Sequence, residues 1–494
     1  MRSLLLIVFI STSLGLQAQK ATINGTVKDD NTGENLIGAG IFNMRRLQGA
    51  TTNSYGFYSF TQPNDSVRLR ISYVGYESKI ISFLLSRDTL LNVALTPGTM
   101  LNEVVIEGTG NDQIQESSRM GTIDVSIAKI KALPALLGEV DVLKVLQLLP
   151  GVQAGAEGSG GLYVRGGGPD QNLILLDGAP VYNVSHLFGF FSVFNADAIN
   201  HVELVKGGFP ARYGGRLSSI IDINMKEGNT RKIHGEGSVG IIASRLTVEG
   251  PIGKGKTSFI ISGRRTYIDA LASPIIKWST KGDRRAGYYF YDLNAKINHQ
   301  FNDRNRLFLS LYSGNDKAYA KSSSNEESYN ERTEKKNSLG LRWGNVTTTV
   351  RWTNIINKKL FSNVSAIYSK YSFDTSVESS EKITNYDVVS AKYVKGQYFS
   401  GIRDYAIKFD LDYLPGPGHD VRFGAQAVDH LFSPGVLNYS ATEESDTTLG
   451  SKDTRTFEFL TYVEDDFLIT PALKVNLGLH ASALSVKGKF YKSL

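Results

Sequence analysis

The chain has 494 residues, with 54 Lys and Arg against 48 Asp and Glu, so its formal net charge is only +6. This excess is spread along the chain, and no basic tract indicates a nucleic-acid partner. The absence of cysteine excludes disulfides, thiol nucleophiles and cysteine metal ligands. The content of 49 Gly, 24 Tyr and 24 Phe, with a mean hydropathy of -0.17, is typical of a β-rich protein with many turns and not of a helical membrane protein.

Residues 1–18 are predicted to form a secretory signal peptide. Arg2 supplies the positive start, residues 4–16 are apolar or small, and Ala18 offers a cleavage site. An N-terminal membrane anchor is the alternative, but the run is shorter than the roughly 20 residues that a spanning helix needs. No later stretch is apolar enough for a membrane helix, so the mature chain is predicted to be exported, either soluble or as a closed barrel.

Residues 20–97 predict a small β-sandwich. A first strand at 21–27 ends in the dense turn signal at 29–33. Further short β runs occur at 38–43, 56–60, 67–73 and 90–95. Many short strands at this spacing are typical of two packed sheets. A β-branched segment at 101–108 follows, and the polar linker after it leaves that segment open to a partner.

Residues 120–227 predict a mixed α/β unit. Apolar positions at helical spacing in 141–149 stop at Pro150 and Gly151. A short buried strand at 173–176 leads into Asp177, and a second short helix is predicted to start at Asn195 as its N-cap. Residues 202–205 predict another strand.

From residue 228 to 494, a period of two dominates the sequence. In 291–298, 407–413 and 473–483, apolar residues alternate with charged and polar ones. Such strands fit a soluble sheet, or a transmembrane antiparallel barrel with lipid outside and a polar lumen. Ten or eleven long strands and aromatic clusters near strand ends favour the barrel, with polar stretches 321–337 and 443–454 as extracellular loops. The predicted fold class is therefore mainly β.

Five ordered motifs in the middle unit resemble the plug of TonB-dependent outer-membrane receptors. They are LPGV at 149–152, LYVRGG at 162–167, LLDGAPVY at 175–182, VELVKGG at 202–208 and ARYGGRLSS at 211–219. The first unit resembles the carboxypeptidase-regulatory-like domain that precedes the plug in many Bacteroidetes receptors, through INGTV at 23–27, TNSYGFY at 52–58 and SYVGY at 72–76. That domain is not a peptidase, and the chain contains no HExxH zinc motif.

The resemblance implies a TonB box at Glu103, Val104, Val105 and Ile106. Such a box pairs its backbone with an edge strand of the periplasmic TonB domain, which an inner-membrane complex energises. The alternative is an ordinary linker strand or the last strand of the sandwich.

The resemblance also singles out plug-motif residues: Arg165, Gly166, Asp177, Gly178, Lys206, Gly207, Arg212, Tyr213, Gly214 and Arg216. A domain inside a polar lumen is expected to be held by hydrogen bonds and ion pairs. Arg165, Arg212, Arg216 and Asp177 are therefore candidates for pairs with the wall or within the plug, and a solvated surface charge is the alternative for each arginine. The glycines permit tight turns and close backbone approach.

Residues 250–257 match the nucleotide-binding pattern GxxxxGK[ST] letter for letter. That loop needs a helix after it, whose N-terminus meets the phosphates. The following residues, 258–263, have a β pattern instead. We therefore interpret the match as a turn between two barrel strands.

A complete barrel of this class needs about 22 strands, and residues 228–494 supply about half of them. The expectation is thus a C-terminally truncated barrel. The predicted function is not enzymatic and needs no cofactor or metal. It is energised import across the outer membrane of a scarce or bulky ligand, with the N-terminal domain in the periplasm. A signalling or surface-binding receptor on the same scaffold is the alternative, and a siderophore, glycan, peptide or cobalamin would each fit as ligand.

Overall fold

The computed structural model describes residues 19–46, 48–98, 121–133, 138–155, 161–253, 255–329, 331–386, 388–416, 418–442, 444–451, 453–470 and 473–493. The predicted signal peptide and the candidate TonB box lie outside these residues. Within them, no helix has the length and apolar character needed to cross a membrane.

The first unit is a sandwich of two four-stranded sheets. Its strands are β1 (Lys20–Asp29), β2 (Gly40–Asn43), β3 (Gln48–Thr51), β4 (Phe57–Pro63), β5 (Asp65–Ser72), β6 (Lys79–Leu85), β7 (Thr89–Leu90) and β8 (Val93–Leu95). One sheet pairs β1 with β4, β7 and β8, and the other has the order β3-β2-β5-β6. Their facing sides bury Ile23, Ile41, Leu69 and Ile71, and each such side chain contributes about 1.5–3 kcal/mol.

The predicted sandwich is confirmed, although β3 and β6 were not predicted. β6 has the sequence KIISFLL, in which most residues are apolar, so alternation gives no signal for its two faces.

The second unit is built on a five-stranded sheet with the order β13-β12-β17-β16-β9. Its elements are β9 (Thr122–Ser126), α1 (Ile127–Ala132), α2 (Val142–Leu146), β10 (Val152–Ala154), β11 (Leu162–Val164), β12 (Asn172–Leu176), β13 (Ala179–Pro180), β14 (Ser185–His186), β15 (Phe191–Ser192), β16 (Ile199–Val205) and β17 (Ser219–Met225). The predicted helix near 141 is present as α2, with Asp141 accepting the Lys144 N–H at 3.0 Å. Asn195 caps a single 3-10 turn, Ala196–Ala198, where a short helix was predicted.

The third unit is one large antiparallel sheet. Its strands are β18 (His234–Val239), β19 (Ala243–Ile252), β20 (Thr257–Thr266), β21 (Arg284–Asn302), β22 (Asn305–Ser328), β23 (Glu331–Asn357), β24 (Leu360–Asn385), β25 (Val388–Tyr413), β26 (His419–Ala441), β27 (Glu444–Gly450), β28 (Thr454–Thr470), β29 (Leu473–Val486) and β30 (Lys489–Ser493). Neighbours in sequence pair in order from β18 to β30, with β27 as a side branch on β26. One helix, α3 (Ile268–Ser279), connects β20 to β21.

The wall formed by this sheet is polar on its inner face and apolar on its outer face. On β21, Asp292, Asn294 and Lys296 are buried against the second unit, whereas Leu293 and Ile297 are 39% and 43% exposed on the outside. This is the inverse of a soluble sheet and matches a barrel wall with lipid outside. The second unit lies on the polar side, so the predicted arrangement of plug and wall is confirmed.

Two predictions about the wall were wrong. The polar stretches 321–337 and 443–454 are not long loops. β22 runs to Ser328 and β23 begins at Glu331, while 444–450 form β27. Cross-strand ion pairs such as Lys335–Glu381, 3.1 Å, accompany the polar strand ends.

α3 was also not predicted. The turn at 250–257 is confirmed, since β19 ends at Ile252 and β20 begins at Thr257 with no helix after the turn.

The sandwich packs against one end of the wall. The turn between β23 and β24 contains Lys358, whose ammonium pairs with Asp88 of the sandwich at 2.8 Å. The N-terminal domain is expected in the periplasm, so we call the end of the wall that contacts the sandwich the periplasmic end.

Candidate functional site

A buried polar cluster joins the plug to the wall at the centre of their interface. His186 lies between two wall carboxylates, with its Nε2 2.8 Å from Asp292 and its Nδ1 2.5 Å from Asp316. Arg264 binds the second oxygen of Asp292 at 2.6 Å and donates to the carbonyl of Ser192 in the plug. Burial opposes a charge on His186, but the two carboxylates outweigh it and raise the pKa of His186. The imidazolium therefore neutralises charge that the wall would otherwise bury unpaired.

The turn between β12 and β13 is a second contact with the wall. The Asp177 carboxylate pairs with Lys296 at 3.0 Å, and its carbonyl accepts a hydrogen bond from Arg351 at 2.8 Å. Asp177 and Gly178 have φ of 48° and 81°, in the left-handed region that favours glycine. A Cβ on Gly178 would lie 3.0 Å from the Arg351 guanidinium. Glycine thus allows the turn to approach the wall this closely.

The ARYGG motif makes a third contact. Arg212 binds Glu464 of β28 through its side chain at 2.6 Å and through its backbone N–H at 3.2 Å. The ring of His480 on β29 bonds to the carbonyl of Ala211 at 2.8 Å. That ring would lie 2.5 Å from a Cβ on Gly214, so a larger residue at position 214 would push the motif off the wall.

The remaining motif residues stay within the plug or face solvent. Lys206 donates to the carbonyl of Pro150 at 2.6 Å, and Tyr213 donates to Asp222 at 3.1 Å. Arg165 has φ of 48°, and its guanidinium lies beside the backbone of Gly207. Arg216 is exposed and donates to the neighbouring Gly215 carbonyl. Of the four predicted charged candidates, Arg212 and Asp177 therefore bind the wall, and Arg165 and Arg216 do not pair with it.

Gly166 lies beside Arg165, in the turn after β11. It has φ of 85°, and no other group lies within 4 Å of the place where its Cβ would be. Its role is therefore conformational, because the turn needs a left-handed residue there.

The plug apex is a loop, Leu187–Gly189, at the opposite end from the sandwich. Leu187 and Phe188 both have positive φ, 48° and 54°, a conformation that costs non-glycine residues about 1 kcal/mol or more each. The Leu187 N–H is fixed by Tyr288 at 2.6 Å. Phe188 packs 5.1 Å from Trp343, yet 53% of it stays exposed. The loop thus presents a partly exposed aromatic ring on the inner side of the wall.

An apolar cavity of about 450 Å³ adjoins this loop. It is lined by Phe188 of the plug, Ala272 and Ile276 of α3, and wall residues that include Leu339 and Leu341. Leu341 lies ten residues along β23 from Arg351, which is roughly 33 Å away in a strand. The cavity is therefore on the far side of the plug from the periplasm.

Sequence reasoning missed His186, Phe188 and all the wall partners. The signal for the wall partners was present, because alternation had already placed Asp292 and Lys296 on the polar face. A lone histidine in a β pattern carries no such signal.

Two protein-family matches cover the first two units. The CarboxypepD_reg-like domain matches residues 23–106, and the TonB-dependent Receptor Plug Domain matches residues 118–219. A curated relative, the probable TonB-dependent siderophore receptor PirA of Acinetobacter baumannii, is 22% identical over 439 residues. The alignment covers 77% of this chain and 55% of the relative, so the chain spans about half the relative's length.

Among solved structures, the FpvAI–pyocin S2 complex matches with a TM-score of 0.46 and 15% identity, over 77% of this chain and 55% of that one. The siderophore receptor PirA from Acinetobacter baumannii matches with a TM-score of 0.34 and 14% identity, over 77% and 75%. Likeness at this level says nothing about the ligand. The chain therefore carries a CarboxypepD_reg-like domain followed by a TonB-dependent receptor plug domain, and the plug lies against a wall that is polar on its inner face.

Proposed function

We propose that this protein imports a scarce or bulky ligand across the outer membrane, with energy supplied through TonB. The observation that carries the proposal is how the plug is held. Its apolar core lies almost entirely within the plug, whereas its contacts with the wall are mainly ion pairs and hydrogen bonds. Water can replace such contacts, so the plug can be remodelled without exposing its core.

The partner proposed for this remodelling is the periplasmic domain of TonB. The segment Glu103, Val104, Val105 and Ile106 lies between the sandwich and the plug in the sequence, so force applied there acts on the plug's N-terminal end. Recognition would use strand addition, in which backbone hydrogen bonds give affinity. The inner-membrane complex that energises TonB would supply the work.

For the ligand, the cavity at the plug apex supports a molecule with aromatic or apolar groups. Phe188 offers an exposed ring for stacking, Trp343 and Tyr288 pack behind it, and the cavity wall is almost wholly apolar. A siderophore with aromatic iron-binding groups is the first compound class to test, because a relative is named as a siderophore receptor.

Uptake of labelled ferric siderophores by cells with and without TonB tests the proposal. Val105→Pro removes a backbone donor and is expected to abolish uptake while leaving surface binding intact. The matched control, Gly110→Pro, lies outside the box. Uptake that persists without TonB would refute the proposal, and binding without uptake in either strain would favour the signalling alternative, which no observation now supports.

A further inference from the structure

The turn between β3 and β4 of the sandwich enters the periplasmic end of the wall. The Tyr55 ring stacks on Phe361 of β24 with centroids 5.1 Å apart, and the Phe57 ring also stacks on Phe361, with centroids 5.6 Å apart. The Asn53 amide donates to Asp412 of β25 at 2.9 Å. The sandwich and the wall therefore meet in a packed aromatic contact.

One wall arginine connects this turn to the plug. The Arg351 guanidinium lies 5.4 Å from the centre of the Tyr55 ring, within the range of a cation–π interaction. The same guanidinium donates to the Asp177 carbonyl in the plug at 2.8 Å. The Arg351 Nε also donates to the Ser365 hydroxyl at 3.4 Å. Because one guanidinium serves all of these contacts, moving Tyr55 away removes one of the groups that fix its position and weakens its hold on the plug turn.

A second contact clamps the junction where the plug chain becomes the wall. Glu34 accepts the backbone N–H groups of Glu227 and Gly228 at 2.6 and 2.8 Å. The Thr230 N–H donates to the carbonyl of Thr32 at 2.8 Å. Three backbone donors at the end of the plug are thus satisfied by the sandwich, and each buried donor that loses its partner is costly.

We propose that the carboxypeptidase-regulatory-like domain is a latch, which holds the plug closed through Tyr55 and Glu34 and undocks when the plug opens. The holding contacts stand on their own, and only their release during import rests on the proposed function. Residues 101–108, which follow the sandwich in sequence, would then transmit force to the latch as well as to the plug.

Hydrogen exchange of the plug amides at 177–181, measured on the protein in lipid vesicles, tests the latch because exchange reports local opening. Tyr55→Ala is expected to speed this exchange about tenfold, as loss of the stack and the cation–π contact implies. Tyr55→Phe keeps the ring and should exchange at the native rate. The control Leu84→Ala removes an exposed side chain on the other sheet of the sandwich.

A cross-link supplies a second, independent measurement. The chain has no native cysteine, so Asn53→Cys with Asp412→Cys can be joined selectively by a short reagent that reductant cleaves. Joining them should slow exchange at 177–181 and block siderophore uptake, with both reversed by reductant. The control pair, Arg68→Cys with Ser82→Cys, joins exposed positions on neighbouring strands of the sandwich and should do neither.

The outcomes separate the two proposals. The latch is refuted if the cross-link leaves hydrogen exchange at 177–181 unchanged. It is also refuted if Tyr55→Ala undocks the sandwich, as faster exchange at 227–230 would show, but exchange at 177–181 stays the same. If the latch responds as expected but the reduced protein imports nothing, the proposed import fails and the latch stands.

Discussion

Glu34→Gln gives the sharpest test of how the sandwich is docked. The Glu34 carboxyl is buried in the docking contact, and burial is the main reason that its pKa is raised from 4.5 to about 7. Lys226 opposes the rise, the nearby carboxylates of Glu227 and Glu249 add to it, and the Gly228 N–H opposes it. A rise of roughly 2.5 units, at 1.36 kcal/mol per unit, corresponds to about 3 kcal/mol.

The direction of the pH effect follows from the raised pKa. A carboxyl that binds protons more tightly when docked makes docking take up a proton. Its favourable contribution is therefore complete below pH 4.5, the free value, and is lost as pH rises to about 7. Glutamine keeps an oxygen to accept the two N–H groups and carries no charge. At pH 7.5 the variant should dock about 3 kcal/mol more tightly than the native protein, roughly a hundredfold.

Thiol labelling can measure this difference. Ser59 is buried under the wall, where it donates to the Lys358 carbonyl, so Ser59→Cys reacts with maleimide only after undocking. Ser82→Cys, exposed on the other sheet, corrects for thiol ionisation. The pH range should end at 7.5, because burial lowers the pKa of the nearby Lys28 to about 8. Parallel pH profiles for the native protein and Glu34→Gln would refute the reasoning.

Three further predictions concern the plug and its apex. Glu464→Gln should destabilise the seated plug by about 3–5 kcal/mol, because Arg212 stays buried without its partner. Adding Arg212→Leu should recover much of this loss in a double-mutant cycle measured by unfolding in urea. Additive effects of the two substitutions would contradict the ion pair. Lys296→Met should cost a similar amount by leaving Asp177 unpaired, and hydrogen exchange at 177–181 unaltered by the change would contradict this. Phe188→Ala should weaken siderophore binding about tenfold in a fluorescence titration, whereas Val350→Ala, on the outer face of β23, should not.

Much of the fold could be predicted because alternation and turn chemistry are local signals. The outward Leu293 and inward Asp292 fix the face of a strand whatever surrounds it, and the Asn195 side chain caps its turn by accepting the nearby Asp197 N–H. The polar stretch 321–337 failed as a loop prediction because composition suggested solvent exposure, whereas pairing between β22 and β23 continues to Ser328 and Glu331. Polar residues form strands readily when a neighbouring strand satisfies their backbone.

The site was predicted in part, and its limits have a physical cause. Arg212 and Asp177 belong to sequence motifs, but their partners Glu464 and Lys296 lie more than a hundred residues away, and nothing local indicates which wall carboxylate or ammonium meets which plug residue. The contact of Tyr55 with Arg351 is of the same kind. From the sequence alone, Tyr55 is indistinguishable from an ordinary turn residue of a sandwich, because its partners lie in the wall.

The longest wall strands are longer than is needed to cross a membrane. β23 has 27 residues, and at roughly 3.3 Å per residue such a strand is about 89 Å long. Tilted by about 45°, it still rises about 63 Å, twice the hydrocarbon thickness of about 30 Å. Because the sandwich lies at the periplasmic end, the extra length of the strands extends beyond the lipid at the opposite end. The ion pairs Lys335–Glu381 and Lys395–Glu378 join neighbouring strands there. A macromolecule approaching the membrane from that side would meet these charged strand ends before it reached the bilayer.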